Sequence, residues 1–275
     1  MEENKEKRFV LNQSLDNDTR ICRYMSFDVF LQLLYGKLFV PRRQLFMDVR
    51  ESGRRPIGSQ FLLKSIGETN HDIQKIQEEL KTYDQYSKNL SQSRFLLTAC
   101  WTIDNGEDFL MWKSYASQIG VCVKTSIGQL LANINYEKYD LMPICSTMSY
   151  LSIYQKAGFL ESVFAKDKYY QSENEFRIYF VPRGNVLDEE MKSIDTETVE
   201  RIILRSSEKE EEQSKDPKYP MNIFLDVDPQ LISSIVLSPF IKTSTIDCFR
   251  NLLRNQFGEI FPNDKYIKES EIIIK

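Results

Sequence analysis

Three observations predict an α+β fold for this chain. Strand-like runs outnumber helical ones, the two kinds do not alternate as βαβ units would, and the 275 residues are 41% hydrophobic and 12% aromatic, enough for a full core. The expected organisation is a flexible N-terminus over residues 1–19 and a single domain over 20–275 with a helical insertion at 68–92. No internal repeat, G-x-G-x-x-G or G-x-x-x-x-G-K-[ST] occurs, so the common glycine-rich phosphate loops are absent.

Taken in order, residues 19–25 read as an extended strand. Ser26 then stands at an N-cap position, Asp28 lies in the first turn, and Phe27, Phe30, Leu31 and Leu34 form a helical stripe that Gly36 ends. Residues 37–40 before Pro41 form a short strand, followed by five arginines, Arg42, Arg43, Arg50, Arg54 and Arg55. Residues 72–90 are a polar amphipathic helix carrying Ile73, Ile76, Leu80 and Tyr83. A buried strand is expected at 95–102, a short helix with acids at its N-terminus at 107–116, and another strand at 120–125, with Ser126 capping a further helix. Strands follow at 143–151, 201–204, 222–227 and 234–237, a charged exposed loop at 208–218, a helix at 243–256 and a last strand at 271–274.

Composition removes several classes of function. A net charge of −4 argues against non-specific coating of nucleic acid, though not against a local basic patch. No apolar run approaches the roughly 20 residues needed to span a bilayer, and residues 1–8 have no apolar segment of a secretion signal. Five widely spaced cysteines without a C-x-x-C pair are expected to be reduced thiols in a cytoplasmic protein. The single histidine, His71, sits in a polar stretch and is expected on the surface. Histidine-based metal centres and Ser-His-Asp catalysis are poorly served by it.

The richest stretch is 169–181. Phe176, Ile178 and Phe180 alternate with Glu173, Glu175, Arg177 and Tyr179, the period of a half-buried strand. Two carboxylates and a guanidinium on one face suit a site where one carboxylate meets developing positive charge and the arginine orients it. An ion-paired strand face turned to water has the same pattern.

Several blocks resemble a bacterial family catalogued as domain of unknown function 2971. They are Cys22-Arg23-Tyr24, Gly36-Lys37-Leu38-Phe39, Phe46-Met47-Asp48 near Glu51, Cys100-Trp101, Met111-Trp112-Lys113-Ser114-Tyr115-Ala116, Gly120-Val121 and Glu173-Asn174-Glu175-Phe176-Arg177. The C-terminal blocks Ile235-Val236-Leu237-Ser238-Pro239 and Glu269-Ser270-Glu271-Ile272 also fit. Met47 stands where that family usually has asparagine. The block order is in turn similar to the ADP-ribosyltransferase superfamily. That resemblance implies split antiparallel sheets with peripheral helices, NAD as the bound dinucleotide, and a role as a toxin or anti-phage effector. The acceptor would be RNA, DNA or protein, and an antitoxin or defence-system protein would be a partner. Carried onto this chain, Arg23 with Tyr24 beside it would hold NAD, Trp101 and Tyr115 would line the pocket, and Glu175, or failing that Glu173, would be the catalytic carboxylate, oriented by Arg177. Ala99-Cys100-Trp101-Thr102 stands where many of those enzymes carry S-T-S.

The chemistry suits a chain without usable histidine. Breaking the nicotinamide–ribose bond develops oxocarbenium character that a carboxylate stabilises, and nicotinamide is already a cationic leaving group that needs no general acid. Arg23 serves equally as a strand-end arginine paired with an acid, and Trp112 as core, with Tyr115 the better site candidate. Arg42, Arg43, Arg54 and Arg55 suit contacts to nucleic-acid phosphates or a solvated basic loop. Two other classes fit the same residues: a non-catalytic nucleotide-sensing or nucleic-acid-binding module, and a Mg²⁺-dependent nuclease using Asp48, Glu51, Glu173 and Glu175.

Overall fold

The computed structural model describes residues 9–10, 15–46, 85, 88–89, 91–116, 119–151, 158–190 and 195–273. Along the chain run β1 (Phe9–Val10), β2 (Arg20–Ser26), α1 (Phe27–Leu34), β3 (Lys37–Pro41), β4 (Leu97–Ile103) and α2 (Phe109–Met111), which continues as a π-helical turn over Trp112–Ala116. Then come β5 (Gly120–Ser126), α3 (Ile127–Asn133), β6 (Leu141–Thr147), β7 (Ser149–Leu151), α4 (Phe159–Val163), β8 (Ala165–Asp167) and β9 (Glu175–Pro182). The described chain ends with α5 (Thr196–Gln213), β10 (Asn222–Asp226), β11 (Ser234–Leu237), α6 (Thr243–Phe257) and β12 (Ile267–Glu269).

The fold is α+β around one eight-stranded mixed sheet, in the order β1-β6-β9-β4-β2-β5-β11-β12. Both edge pairs, β1 with β6 and β11 with β12, are parallel, and the six inner strands are antiparallel. The order is continuous, with β10–β3 and β7–β8 as two further two-stranded sheets, and the pairing is shortest at one inner seam. There β2 and β4, seven residues each, pair only at Ile21–Ile103 and Cys22–Thr102. On its other side β2 pairs with β5 along its whole length.

Strand alternation sorts the core onto two faces. Ile21, Met25, Ala99, Trp101, Val123, Phe176, Ile178 and Ile235 join α1, α3 and α6 in the largest hydrophobic cluster. On the opposite face α4 and α5 cover β6 and β9 through Phe159, Val163, Val199, Ile202 and Ile203. The π-helical turn covers Cys22, Tyr24, Cys122 and Val236. Between those two covers the face is left to Cys100, Glu175 and Arg177.

Several expectations are corrected. Within the N-terminal stretch 1–19, Phe9 and Val10 pair with β6 at the edge of the sheet, and residues 1–8 and 11–14 lie outside the described residues. Residues 201–204 lie inside α5, not in a strand, and 208–213 complete that helix rather than a loop. The last strand lies at Ile267–Glu269, where Ile267 pairs with Ile235, and not at 271–274. Strand β9 is buried on both faces, Arg177 and Tyr179 being fully inaccessible: α4 and α5 cover Tyr179 on the side expected to meet water, and the Phe46 ring lies 5.4 Å from the Arg177 guanidinium. Of the insertion at 68–92, residues 85, 88, 89, 91 and 92 are described and helical, and the rest, with His71, lies outside the described residues.

Candidate functional site

Where the β2–β4 ladder stops, the two strands part around a cavity of about 580 Å³. Four consecutive residues of β2, from Arg23 to Ser26, line it, so the strand presents its edge, main chain included, rather than one face. Cys100, Trp101 and Thr102 of β4 form the facing edge. Phe39 and Leu45 add apolar lining, a side wall comes from Met111, Ser114 and Tyr115, and Phe46, its ring 5.4 Å from the Arg177 guanidinium, joins Lys166, Tyr170, Glu173 and Glu175 at the far end. A concave apolar chamber with a few converging polar groups is the usual form of a small-molecule site, and its volume lies within the ~300–1,000 Å³ range of such pockets.

Arg23 stands where the seam opens, its guanidinium 5.9 Å above the Trp101 ring. Among the described residues no carboxylate pairs with it. Burial lowers its pKa from the usual arginine value, offset in part by Cys100, so an anion brought to it is strongly favoured. Trp101 is almost wholly buried, and its Nε1 finds no acceptor among the described residues. A buried orphan donor beside an unpaired cation fits a ligand with anionic oxygens.

The opposite end is a row of alternating charges. Arg177 Nε lies 2.7 Å and its Nη2 2.6 Å from Glu175 Oε1, while Lys166 Nζ lies 3.3 Å from Glu175 Oε2 and also contacts Glu173 Oε2. The Tyr115 hydroxyl donates to Glu173 Oε1 at 3.2 Å. Burial pushes the Glu175 carboxyl up, but Arg177 and Lys166, with a hydrogen bond from the Cys100 thiol, outweigh it and hold the pKa at about 2. Glu175 is therefore an anion throughout the physiological range. Burial and the Glu173 charge raise the Tyr115 hydroxyl well above its usual value, keeping it a donor. Asn174, at φ 42°, is the left-handed link between a 3₁₀ turn ending at Glu173 and the strand beginning at Glu175. Asparagine tolerates that conformation better than most residues.

The pocket wall is built from an N-cap and an aromatic pair. Asp108 accepts from the amides of Leu110 and Met111, and its own amide donates to the Tyr24 hydroxyl at 3.0 Å. Tyr24 packs edge-on against the fully buried Trp112, ring centroids 4.9 Å apart. Glu107 clasps this wall to the C-terminal segment by accepting from Trp112 Nε1 (2.9 Å), Ser270 Oγ (2.5 Å) and the Glu271 amide (2.8 Å). Gly120 closes the turn from behind, where an added Cβ would stand 1.9 Å from the Ala116 carbonyl oxygen. Gly120→Ala is therefore expected to displace the turn and cost roughly 1–3 kcal/mol of stability. An unchanged denaturant midpoint would show instead that the backbone there yields freely.

The sequence-selected residues thus divide. Arg23, Tyr24, Trp101, Tyr115, Glu173 and Glu175 all line one cavity, although Tyr24 also has a structural task and Arg177 lies beneath the cavity rather than in it. Glu173 is not on the strand with Glu175 but in the preceding turn. Arg42 and Arg43 are not exposed cations. Arg42 is buried against Glu210 and the Tyr219 ring, and donates to the Pro220 carbonyl at 2.6 Å. Arg43 is fully buried, with Nη1 2.7 Å from Ser93 Oγ, so neither is placed to meet a nucleic-acid phosphate. Arg54 and Arg55, like Asp48 and Glu51, lie outside the described residues. Sequence reasoning missed Lys166, a single lysine in a short strand with no motif around it, and the pocket role of Cys100.

Among the described residues no group of three or more His, Cys, Asp or Glu side chains is placed to hold a metal ion. Glu173 and Glu175 already share the Lys166 ammonium, where a bridging cation would have to sit. Cys22, Cys100, Cys122, Cys145 and Cys248 form no disulfide, and Cys22, Cys122 and Cys145 are buried. Among the described residues no helix is long and apolar enough to cross a membrane. No family model, curated protein or solved structure matches the chain.

Proposed function

We propose that this chain binds NAD at the open seam and acts as an ADP-ribosyltransferase-like enzyme, a toxin or anti-phage effector working on a nucleic-acid or protein acceptor. One observation carries the reading: Arg23, which has no carboxylate partner among the described residues, lines the same cavity as the ionised Glu175 and its neighbour Glu173. Arg23 takes the pyrophosphate with its planar fork. The unpaired edge of β2, where amides and carbonyls lack ladder partners, suits the carboxamide of nicotinamide. Bound NAD supplies a glycosidic bond whose electron pair leaves with nicotinamide, opening the ribose carbon to the acceptor. Glu175, with Glu173 beside it, meets the positive charge that develops on the ribose. Phe39, Phe46 and Trp101 exclude water from that end.

NAD is expected to raise the melting temperature, because a ligand bound only by the native state adds about 2.7 kcal/mol at a hundredfold excess over Kd. For a chain of this size that corresponds to a shift of roughly 5–10 °C. Nicotinamide release, followed by chromatography without added Mg²⁺, tests the chemistry, and mass spectrometry of RNA, DNA and protein added to the reaction identifies the acceptor. A second reading, NAD sensing without turnover, draws on the fact that both oxygens of Glu175 are already engaged. A thermal shift without nicotinamide release would select it. No shift with NAD would sink both readings, and an equal response to ATP and AMP would point to a general nucleotide sensor.

A further inference from the structure

Lys166 lies at the centre of the site on β8, a three-residue strand paired only with β7. It is 6% exposed, and its Nζ stands 4.7 Å from the centre of the Tyr170 ring. A buried ammonium is costly unless it is paired and hydrogen-bonded. Here one ammonium contacts two carboxylates, although a single partner would neutralise it. The arrangement makes a row: Arg177, Glu175, Lys166, Glu173 and the Tyr115 hydroxyl, each touching the next. Exposure rises along it, with Arg177 at 0%, Glu175 at 4% and Tyr115 at 47%, so the row climbs from the buried floor of the cavity to its mouth. Among the described residues the four formal charges of the row cancel, and Arg23 lines the same pocket with no carboxylate partner among them.

We propose that Lys166 is the positioning residue of this site: its ammonium locks Glu173 and Glu175 together as two anions aimed at one point of the cavity. Without it, two carboxylates close enough to share one cation face each other across a weakly solvated gap. Such a pair takes up a proton, and the site then loses one of its anions. The remaining charged and titratable neighbours are Arg177 from β9, Cys100 from β4, Tyr150 from β7 and Tyr115 from the π-helical turn. Arg177 bonds Glu175 and the Tyr179 hydroxyl, the Tyr150 hydroxyl accepts from the Glu175 amide, and Cys100 and Tyr115 each donate to one carboxylate, whereas Lys166 touches both carboxylates. The assignment rests on the transferase reading only for the name of the reaction, since the row itself is a matter of geometry.

The test compares Lys166→Met with Lys166→Arg and with the double variant Lys166→Met/Glu173→Gln. Melting temperatures are followed from pH 8 to pH 4. A carboxylate whose folded pKa is depressed contributes stability above its unfolded pKa, and that contribution is lost as pH falls through the folded pKa. Removing Lys166 removes part of that contribution. The deficit of Lys166→Met relative to wild type should therefore be widest at neutral pH and narrow as the variant's carboxylates protonate toward about pH 4, the range of an unperturbed carboxylate, closing only toward the wild-type Glu175 value of about 2. Lys166→Arg should recover most of the deficit, and the double variant should be more stable than Lys166→Met alone. A deficit that does not vary with pH would mean that the lysine only fills space and would overturn the proposal. So would a double variant no more stable than the single one, including one that also fails to fold. With NAD, Lys166→Met should lower kcat for nicotinamide release at pH 7 at least tenfold with KM little changed, and move the acid limb of the profile upward by about one pH unit. A uniform loss at every pH would again count against it. If wild type releases no nicotinamide, the transferase reading fails, and the pH dependence of melting still decides the role of Lys166.

Discussion

Glu175→Gln is expected to cut nicotinamide release from NAD about 10²–10³-fold, the usual cost of losing one aligned electrostatic contact to a transition state. The same variant should also lose stability. Glu175 is a counter-ion of the fully buried Arg177, and removing one partner of a buried pair typically costs about 3–5 kcal/mol. The amide oxygen of glutamine keeps one hydrogen bond to the guanidinium, which places the loss toward the lower end of that range. Glu173→Gln separates the two effects. Glu173 is nearer the mouth of the pocket and more exposed than Glu175, so its loss should lower the melting temperature less than the loss of Glu175 does. Nicotinamide release by Glu175→Gln, corrected for the folded fraction by circular dichroism, is the deciding measurement. Wild-type turnover in the folded fraction of Glu175→Gln, with full loss in Glu173→Gln, would transfer the catalytic role to Glu173.

The elements legible in the sequence are those whose pattern is local. Ser234–Leu237 is an isolated apolar run between polar residues, and it pairs with β5 as a strand should. Gly36, at φ 76°, stops α1 where its sequence position predicts. Helix α5 was hidden because Ile202, Ile203 and Leu204 are consecutive and read as a strand. Its helical stripe runs through Val199, Ile202, Ser206 and Glu210, two of them polar and all buried. Burial of those polar residues depends on distant partners such as Asn185 for Ser206 and Arg42 for Glu210, and no window of sequence contains both members of such a pair. The seam has the same cause. Strands β2 and β4 each look continuous, and only their mutual register shows that the ladder ends after two pairs. Pairing between distant strands thus supplied the cavity that several of the sequence-selected side chains line.

Two arginines of opposite fate give the clearest separation of binding from stability. Arg23→Ala should weaken NAD binding by at least tenfold and leave the unliganded melting temperature within about a degree of wild type. Its guanidinium has no carboxylate to abandon among the described residues, and a hydrogen bond to a charged group contributes about 1.5–3 kcal/mol. Arg42→Ala should do the reverse. Arg42 is held by Glu210, the Tyr219 ring and the carbonyls of Phe95 and Pro220, and it does not line the cavity. Its removal leaves Glu210 buried without a cation, a loss of about 3–5 kcal/mol. Burial already raises the Glu210 pKa, against the opposing pull of Arg42, and without Arg42 it must rise further. A carboxyl whose folded pKa lies above its unfolded value favours the fold below the unfolded pKa, and that contribution is lost as pH rises through the folded value. The Arg42→Ala deficit should therefore be smallest in mild acid and grow toward neutral pH. Calorimetric titration of NAD into both variants, with thermal melts at pH 5 and pH 7, decides the matter. Equal affinities for NAD in two folded variants would remove Arg23 from the binding site and leave the open seam without its anion contact.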